Sequence, residues 1–251
     1  MSFHHSPKIV TNGLVLCLDA GNIKSYPGSG TVFSDLTNNG YNGTLVNTPA
    51  FSASNLGFFS FNGTNNRIDL SSSFNTFGAG LGNGFTTSFW LKTTTTTTFS
   101  TLFGTVNTGA GNLVFTATLN RGVGFRDTGS IGATQFYIRS QTTGLFLVGY
   151  ILTNIYDGRW HNLVWQCPAP VTTNYNIYVD GNIVPITYTD RQAPNTFANF
   201  DYPLSIGAEN ARGTLQRYGA FDMAQALFYN RGLNSSEILQ NYNAVKGRFQ
   251  L

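Results

Sequence analysis

At 251 residues, with 41% hydrophobic and 14% aromatic content, the chain has material for one large core, and all-β sandwiches reach this size as single units. Only 10% of residues are charged and the net charge is +3, against roughly 25% charged in an average globular protein, so the polar surface is built from Thr, Asn, Ser and Gly. The basic residues are dispersed, which leaves nucleic acid and anionic membranes without an electrostatic footprint.

Residues 1–11 read as a polar N-terminal segment and a candidate anchor, with His4-His5 belonging to a polar terminus and not to a metal pair. This start lacks the basic head and apolar stretch of a secretory signal, and no window reaches the roughly 18 apolar residues of a membrane-spanning helix. Short strands then follow to the end of the chain. They are expected at Leu14–Leu18, Gly57–Phe61, Arg67–Leu70 and Thr86–Lys92, then Thr101–Thr105, Asn112–Leu119, Gly122–Asp127 and Tyr137–Ser140. Leu145–Ile151, His161–Cys167, Tyr175–Val179, Leu204–Ile206 and Ala220–Tyr229 complete the set. Asn42-Gly43, Asn62-Gly63, Asn83-Gly84, Asp157-Gly158 and Asp180-Gly181 punctuate them, because Asx-Gly pairs supply the positive φ of tight turns. Strands at this spacing argue a sandwich or barrel. The six threonines Thr93 to Thr98 read as a strand end and loop.

A single helix closes the sequence. Asn234 with Glu237 three positions on is a capping-box arrangement, and Ile238, Leu239, Tyr242 and Val245 recur at helical spacing. Lys246, Gly247 and Arg248 offer a basic last turn and a glycine stop. Cys17 and Cys167 each lie in an apolar run, as buried free thiols do; a disulfide would need their α-carbons within about 7 Å.

Asp157-Gly158-Arg159-Trp160-His161-Asn162-Leu163-Val164 and Ile177-Tyr178-Val179-Asp180-Gly181-Asn182 are the most distinctive segments. With the runs Asn12–Asn22, Asp35–Leu45, Phe59–Asn66, Phe85–Leu91, Leu204–Ala208 and Phe228–Ile238, they resemble the laminin-G-like members of the concanavalin-A-like lectin and glucanase superfamily. The resemblance spans about residues 12 to 249. It implies a jelly-roll β-sandwich over 12–251 with a short C-terminal helix, and a fold that binds more often than it catalyses. Modules of this kind also resemble virion proteins of tailed bacteriophages. That likeness implies a non-enzymatic structural protein, a head decoration or a tail or fibre component, folded in the host cytoplasm and displayed on the virion surface. Its partners would be other virion proteins and copies of itself, with loops contacting host glycans. A free carbohydrate-binding lectin-like protein is the alternative, and a glycoside hydrolase the third class.

The residues weigh against hydrolysis, which needs two carboxylates about 5 Å apart or further across the scissile bond. Only Glu209 and Glu237 are present as glutamates; Glu237 is a capping residue and Glu209 reads as a lone loop acid at a strand end. His161 near Asp157 reads as a satisfied core histidine. Sugar rings offer apolar faces edged by hydroxyls, and three clusters answer that chemistry: Phe136-Tyr137 with Arg139, Tyr188 with Asp190 and Arg191, and Asn199 to Tyr202. No metal or cofactor site is expected. Some relatives hold calcium through an acid in the last strand, where this chain has Ala224 or Gln225, so Asp222 with backbone carbonyls offers a weak site at most.

Overall fold

The computed structural model describes residues 7–94, 100–107, 113–121, 133–140, 145–170, 173–192, 194 and 196–251. In chain order these form β1 (Leu14–Asp19), β2 (Val32–Phe33), β3 (Gly43–Val46), β4 (Ala50–Ser52), β5 (Phe58–Asn62), β6 (Arg67–Leu70) and a single helical turn, α1 (Phe77–Gly80). The long strands follow: β7 (Phe85–Lys92), β8 (Ser100–Val106), β9 (Val114–Arg121), β10 (Ala133–Arg139), β11 (Phe146–Ile151) and β12 (Trp160–Cys167). Then come β13 (Asn176–Val179), β14 (Asn182–Val184), β15 (Thr187–Arg191), β16 (Ser205–Ile206), β17 (Glu209–Ala211), β18 (Thr214–Gln216), β19 (Ala220–Tyr229) and the helix α2 (Ser235–Val245).

Two sheets result, as expected of a jelly-roll sandwich. The first runs β14-β13-β12-β7-β19-β5-β4, with β1 added along β19. The second runs β15-β11-β10-β9-β8-β16-β6-β3-β2, and the β17–β18 hairpin docks on β8. Period-two alternation decides which face each side chain meets. In β7, Phe85, Phe89 and Leu91 enter the inter-sheet core while Trp90 belongs to a separate cluster on the other face. A register shift between Met223 and Gln225 of β19 adds one residue and changes the parity. Phe221 and Met223 before it, and Ala226 and Phe228 after it, therefore all reach the core. Trp165 sits among Phe85, Phe115, Phe136 and Tyr175, with ring centroids 4.9–5.6 Å away, distances at which ring pairs add to plain area burial.

The outer face of the first sheet is covered as well. The Asn234–Glu237 capping box forms as its sequence predicts. Ile238 is packed with Tyr229 and Leu227 of β19, and Tyr242 stacks on Trp90 at 5.6 Å. Leu239, expected on that face, is 46% exposed, and Asn241 is buried in its place. The glycine stop is also corrected. Chain reversal waits for Gln250 (φ 61°), after a 3-10 turn over Lys246–Phe249. That extra turn is favoured because Phe249 stacks between Trp90 at 4.7 Å and Trp160 at 4.5 Å, while Arg248 reaches Asp19 at 2.7 Å. Val10, within the expected anchor segment, is 8% exposed and packs in the same layer.

Asp180 (φ 53°) and Gly181 (φ 78°) make the expected positive-φ turn, here joining β13 to β14. Cys17 and Cys167 are free and buried, and burial pushes both thiols up to about 12. The strand expected at Gly122–Asp127, the His4-His5 pair and Thr95–Thr98 lie outside the described residues.

Candidate functional site

The register divides the expected ligand-binding residues among three places. On the second sheet Thr116 lies opposite Tyr137, Tyr137 opposite Val148, and Val148 opposite Asp190. Opposed residues share a face, so Tyr137, Arg139 and Asp190 come together on the face turned away from the core. Tyr137 is only 7% exposed and packs with Val114, Val148 and Phe146. The Arg139 guanidinium lies 6.0 Å from the Phe146 ring centre. A register shift between Val148 and Gly149 turns Tyr188 toward the core instead. Its hydroxyl donates to the Tyr175 carbonyl at 2.9 Å and accepts from the Tyr175 amide at 3.1 Å. Arg191 stacks on Tyr188 at 4.9 Å and donates to the Thr173 carbonyl at 3.0 Å. Tyr202 stands apart, its ring close to Gly213 in the β17–β18 turn.

Both glutamates are committed to structure. Glu209 does not sit in a loop: it opens β17, is 3% exposed, and its Oε1 accepts from Arg217 at 2.8 Å and Gln216 at 2.6 Å. Cross-strand Gly104 leaves the space its side chain occupies, since a β-carbon there would lie 3.3 Å from Glu209 Cγ. Glu237 accepts from the Asn234 amide and holds Arg231 through both oxygens, at 2.6 and 2.9 Å.

His161 is half-buried, at the sheet margin and not in the core. Its Nδ1 lies 2.8 Å from Asp180 Oδ2 and its Nε2 3.1 Å from Asp157 Oδ1. Only the doubly protonated ring can donate to both. The hydrogen bond to Asp180, assisted by the one to Asp157, holds the imidazole above its ordinary value against partial desolvation. Desolvation works against ionising Asp157, but the Arg159 amide and His161 outweigh it and hold that carboxyl below the usual range. The arrangement ties the start of β12 to two turns.

A depression of about 440 Å³ opens at the neighbouring strand ends, lined by Phe61, Lys92, Thr94, Gly158, Phe221 and Asp222 among others. Asp222 and Lys92 are cross-strand partners in register, with Nζ 2.8 Å from Oδ2. Ser60 donates to the other Asp222 oxygen at 2.5 Å. The donor set does not fit calcium, because the Lys92 ammonium already sits where a cation would meet that carboxylate. Among the described residues, no three His, Cys, Asp or Glu side chains are grouped for a metal. The sequence did carry a signal for Lys92 and Asp222: each is the lone charge in a long strand of a weakly charged chain.

Two sheets, antiparallel except where β17 runs parallel to β8, a layer of aromatic rings between them and a helix sealing one outer face define a lectin-type β-sandwich. The family model for the concanavalin A-like lectin/glucanases superfamily matches residues 62–239, and the chain belongs to that family. No curated protein matches significantly in sequence. Among solved structures, the chain is similar to domain 4 of an extracellular arabinanase from Geobacillus stearothermophilus, solved with arabinotriose. The TM-score is 0.59 at 17% identity, covering 91% of this chain and 98% of that one. It is also similar to the binding domain of botulinum neurotoxin DC in complex with SialylT (TM-score 0.60, 11% identity, 93% and 52% covered). The receptor-binding domain of the C/D mosaic neurotoxin matches likewise (TM-score 0.63, 10% identity, 92% and 51% covered). The chain thus spans about half the length of the toxin domains it matches.

Proposed function

We propose that the domain is a non-enzymatic module that contacts glycans and serves as a structural component on the surface of a tailed-bacteriophage virion. The observation that carries the glycan part is the end-to-end likeness to the arabinanase domain, 91% of one chain against 98% of the other, together with the arabinotriose found on that relative. The non-enzymatic part is supported by the two glutamates. Glu209 is buried against Arg217 and Glu237 caps a helix, so neither faces solvent as a free acid paired with a second carboxylate, as hydrolysis needs. The virion setting is supported by the resemblance of such modules to phage surface proteins. It is also supported by the 10% charge content, since a weakly charged polar surface is desolvated at low cost against neighbouring subunits. Of the sequence-derived contact residues, Arg191 is exposed, and Tyr137, Arg139 and Asp190 share one sheet face.

A glycan array probed with the full chain, followed by electron microscopy of particles from the producing host, tests both parts. Saccharide binding without release of reducing ends, and ordered copies on a head or tail, are the expected results. A monomer that binds glycans and never associates with particles returns the free-lectin reading. Release of reducing sugar by the wild type overturns the non-enzymatic one.

A further inference from the structure

We propose that the depression beside Lys92 and Asp222 is a saccharide site that grips a vicinal diol, with the ion pair as its recognition element. The proposal rests on the glycan reading above and adds a location and a chemistry to it. At about 440 Å³, the space falls within the roughly 300–1,000 Å³ of small-ligand sites.

Its polar groups are fixed before any ligand arrives. The Lys92 ammonium lies over two rings, 5.2 Å from the Phe58 centroid and 5.4 Å from that of Trp160, and bonds Asp222 at 2.8 Å. Asp222 is held from its other side by Ser60. Both heads nevertheless remain partly open, with 32% of the Lys92 and 20% of the Asp222 side chain accessible. An ammonium has three donors and a carboxylate about four acceptor positions, so the pair leaves donors and acceptors unspent side by side. Adjacent hydroxyls on a sugar ring match that pattern: one donates to Asp222, and the oxygen of the next accepts from Lys92.

Charge decides the ligand class. An anion drawn to Lys92 meets Asp222 within hydrogen-bond distance of it, and a cation drawn to Asp222 meets Lys92. The site therefore favours a neutral polyol over either ion. Phe61 and Phe221 also line the depression, but their rings are each 4% exposed and belong to the inter-sheet core, so its recognition is polar.

Calorimetric titration of the full chain with trisaccharides of arabinose, xylose, galactose and glucose tests the site. Lys92→Met, Asp222→Asn and Thr94→Trp are titrated beside the wild type. Thr94 is exposed, so the tryptophan fills the depression without touching the ion pair and keeps the test independent of any folding defect in the other two. Loss of binding by at least tenfold in all three, with the urea unfolding midpoint unchanged in Thr94→Trp, is the expected result. Unaltered binding in Thr94→Trp and Lys92→Met overturns the site while the glycan reading stands; loss on Arg139→Ala alone then moves the ligand to the second sheet. Failure of the wild type to bind any trisaccharide overturns the glycan reading and the site with it.

Discussion

Replacing Asn241 with leucine tests whether the outer layer of the first sheet is held by hydrogen bonds or by area alone. Asn241 Oδ1 accepts from the Val10 amide at 2.7 Å, and Nδ2 donates to the Tyr229 hydroxyl at 2.9 Å. That hydroxyl donates in turn to the Val10 carbonyl at 2.9 Å. The three bonds close a triangle between the N-terminal segment, β19 and α2, and all three residues are less than 9% exposed. Leucine keeps the heavy-atom count and branching of the side chain and raises the helix propensity by a few tenths of a kcal/mol. It leaves the Val10 amide buried without an acceptor, at a cost of about 1–3 kcal/mol, and removes about 1 kcal/mol of bonding from Tyr229. Burying an apolar side chain returns part of this, about 1 kcal/mol. A net loss of about 2 kcal/mol is expected, read by urea unfolding as a midpoint lowered by about 1 M for a slope near 2 kcal/mol/M. Tyr229→Phe and the double variant complete the cycle, where a coupling above about 0.5 kcal/mol is expected of groups sharing one network. An Asn241→Leu chain as stable as the wild type would refute the reasoning and assign the layer to packing alone.

Three further outcomes are expected. The imidazole of His161 is raised when folded, so its contribution is fully present below the unfolded value of about 6.5 and is lost as pH rises through the higher folded value. Urea midpoints measured on both sides of neutrality should therefore converge between wild type and His161→Gln at the alkaline end, and parallel profiles would contradict the clamp. Glu209→Gln should destabilise by about 1–3 kcal/mol, less than a fully buried pair because Arg217 can turn to water; an unchanged unfolding midpoint would show that Glu209 is no structural partner of Arg217. Both thiols, pushed to about 12 by burial, should resist an aromatic disulfide reagent in the native chain and react on unfolding, whereas fast native labelling would place them at the surface.

Much of this architecture was legible because strong local signals agreed with the final packing. Ala220–Tyr229 and Arg67–Leu70 match their expected bounds, and the Asn234 cap works through contacts within one turn. Strands of mostly polar residues were not legible. Thr187–Arg191 and Glu209–Ala211 lack an apolar face and exist because β11 and β8 offer them backbone partners. The register shift between β11 and β15 separates Tyr188 from Asp190, which simple alternation would place on one face. Gly247 failed as a stop because the tryptophan pair that captures Phe249 comes from β7 and β12, far from the helix in sequence. The Lys92–Asp222 pair lay hidden for the same reason: its meaning depends on two distant strands being in register.

The pairing of β1 with β19 also fixes how the domain answers mechanical load. Leu14 lies opposite Tyr229 and Asp19 opposite Gln225, so the outward ends of the two strands meet at one point. Antiparallel hydrogen bonds run perpendicular to the strands. Tension between the two ends would first peel α2 and Val10 from the sheet and then open the pair one rung at a time, in an unzipping geometry and not in shear. The sandwich is therefore built to yield progressively from that corner when pulled by its ends, while a load entering through loops on the opposite side would be carried by many rungs at once.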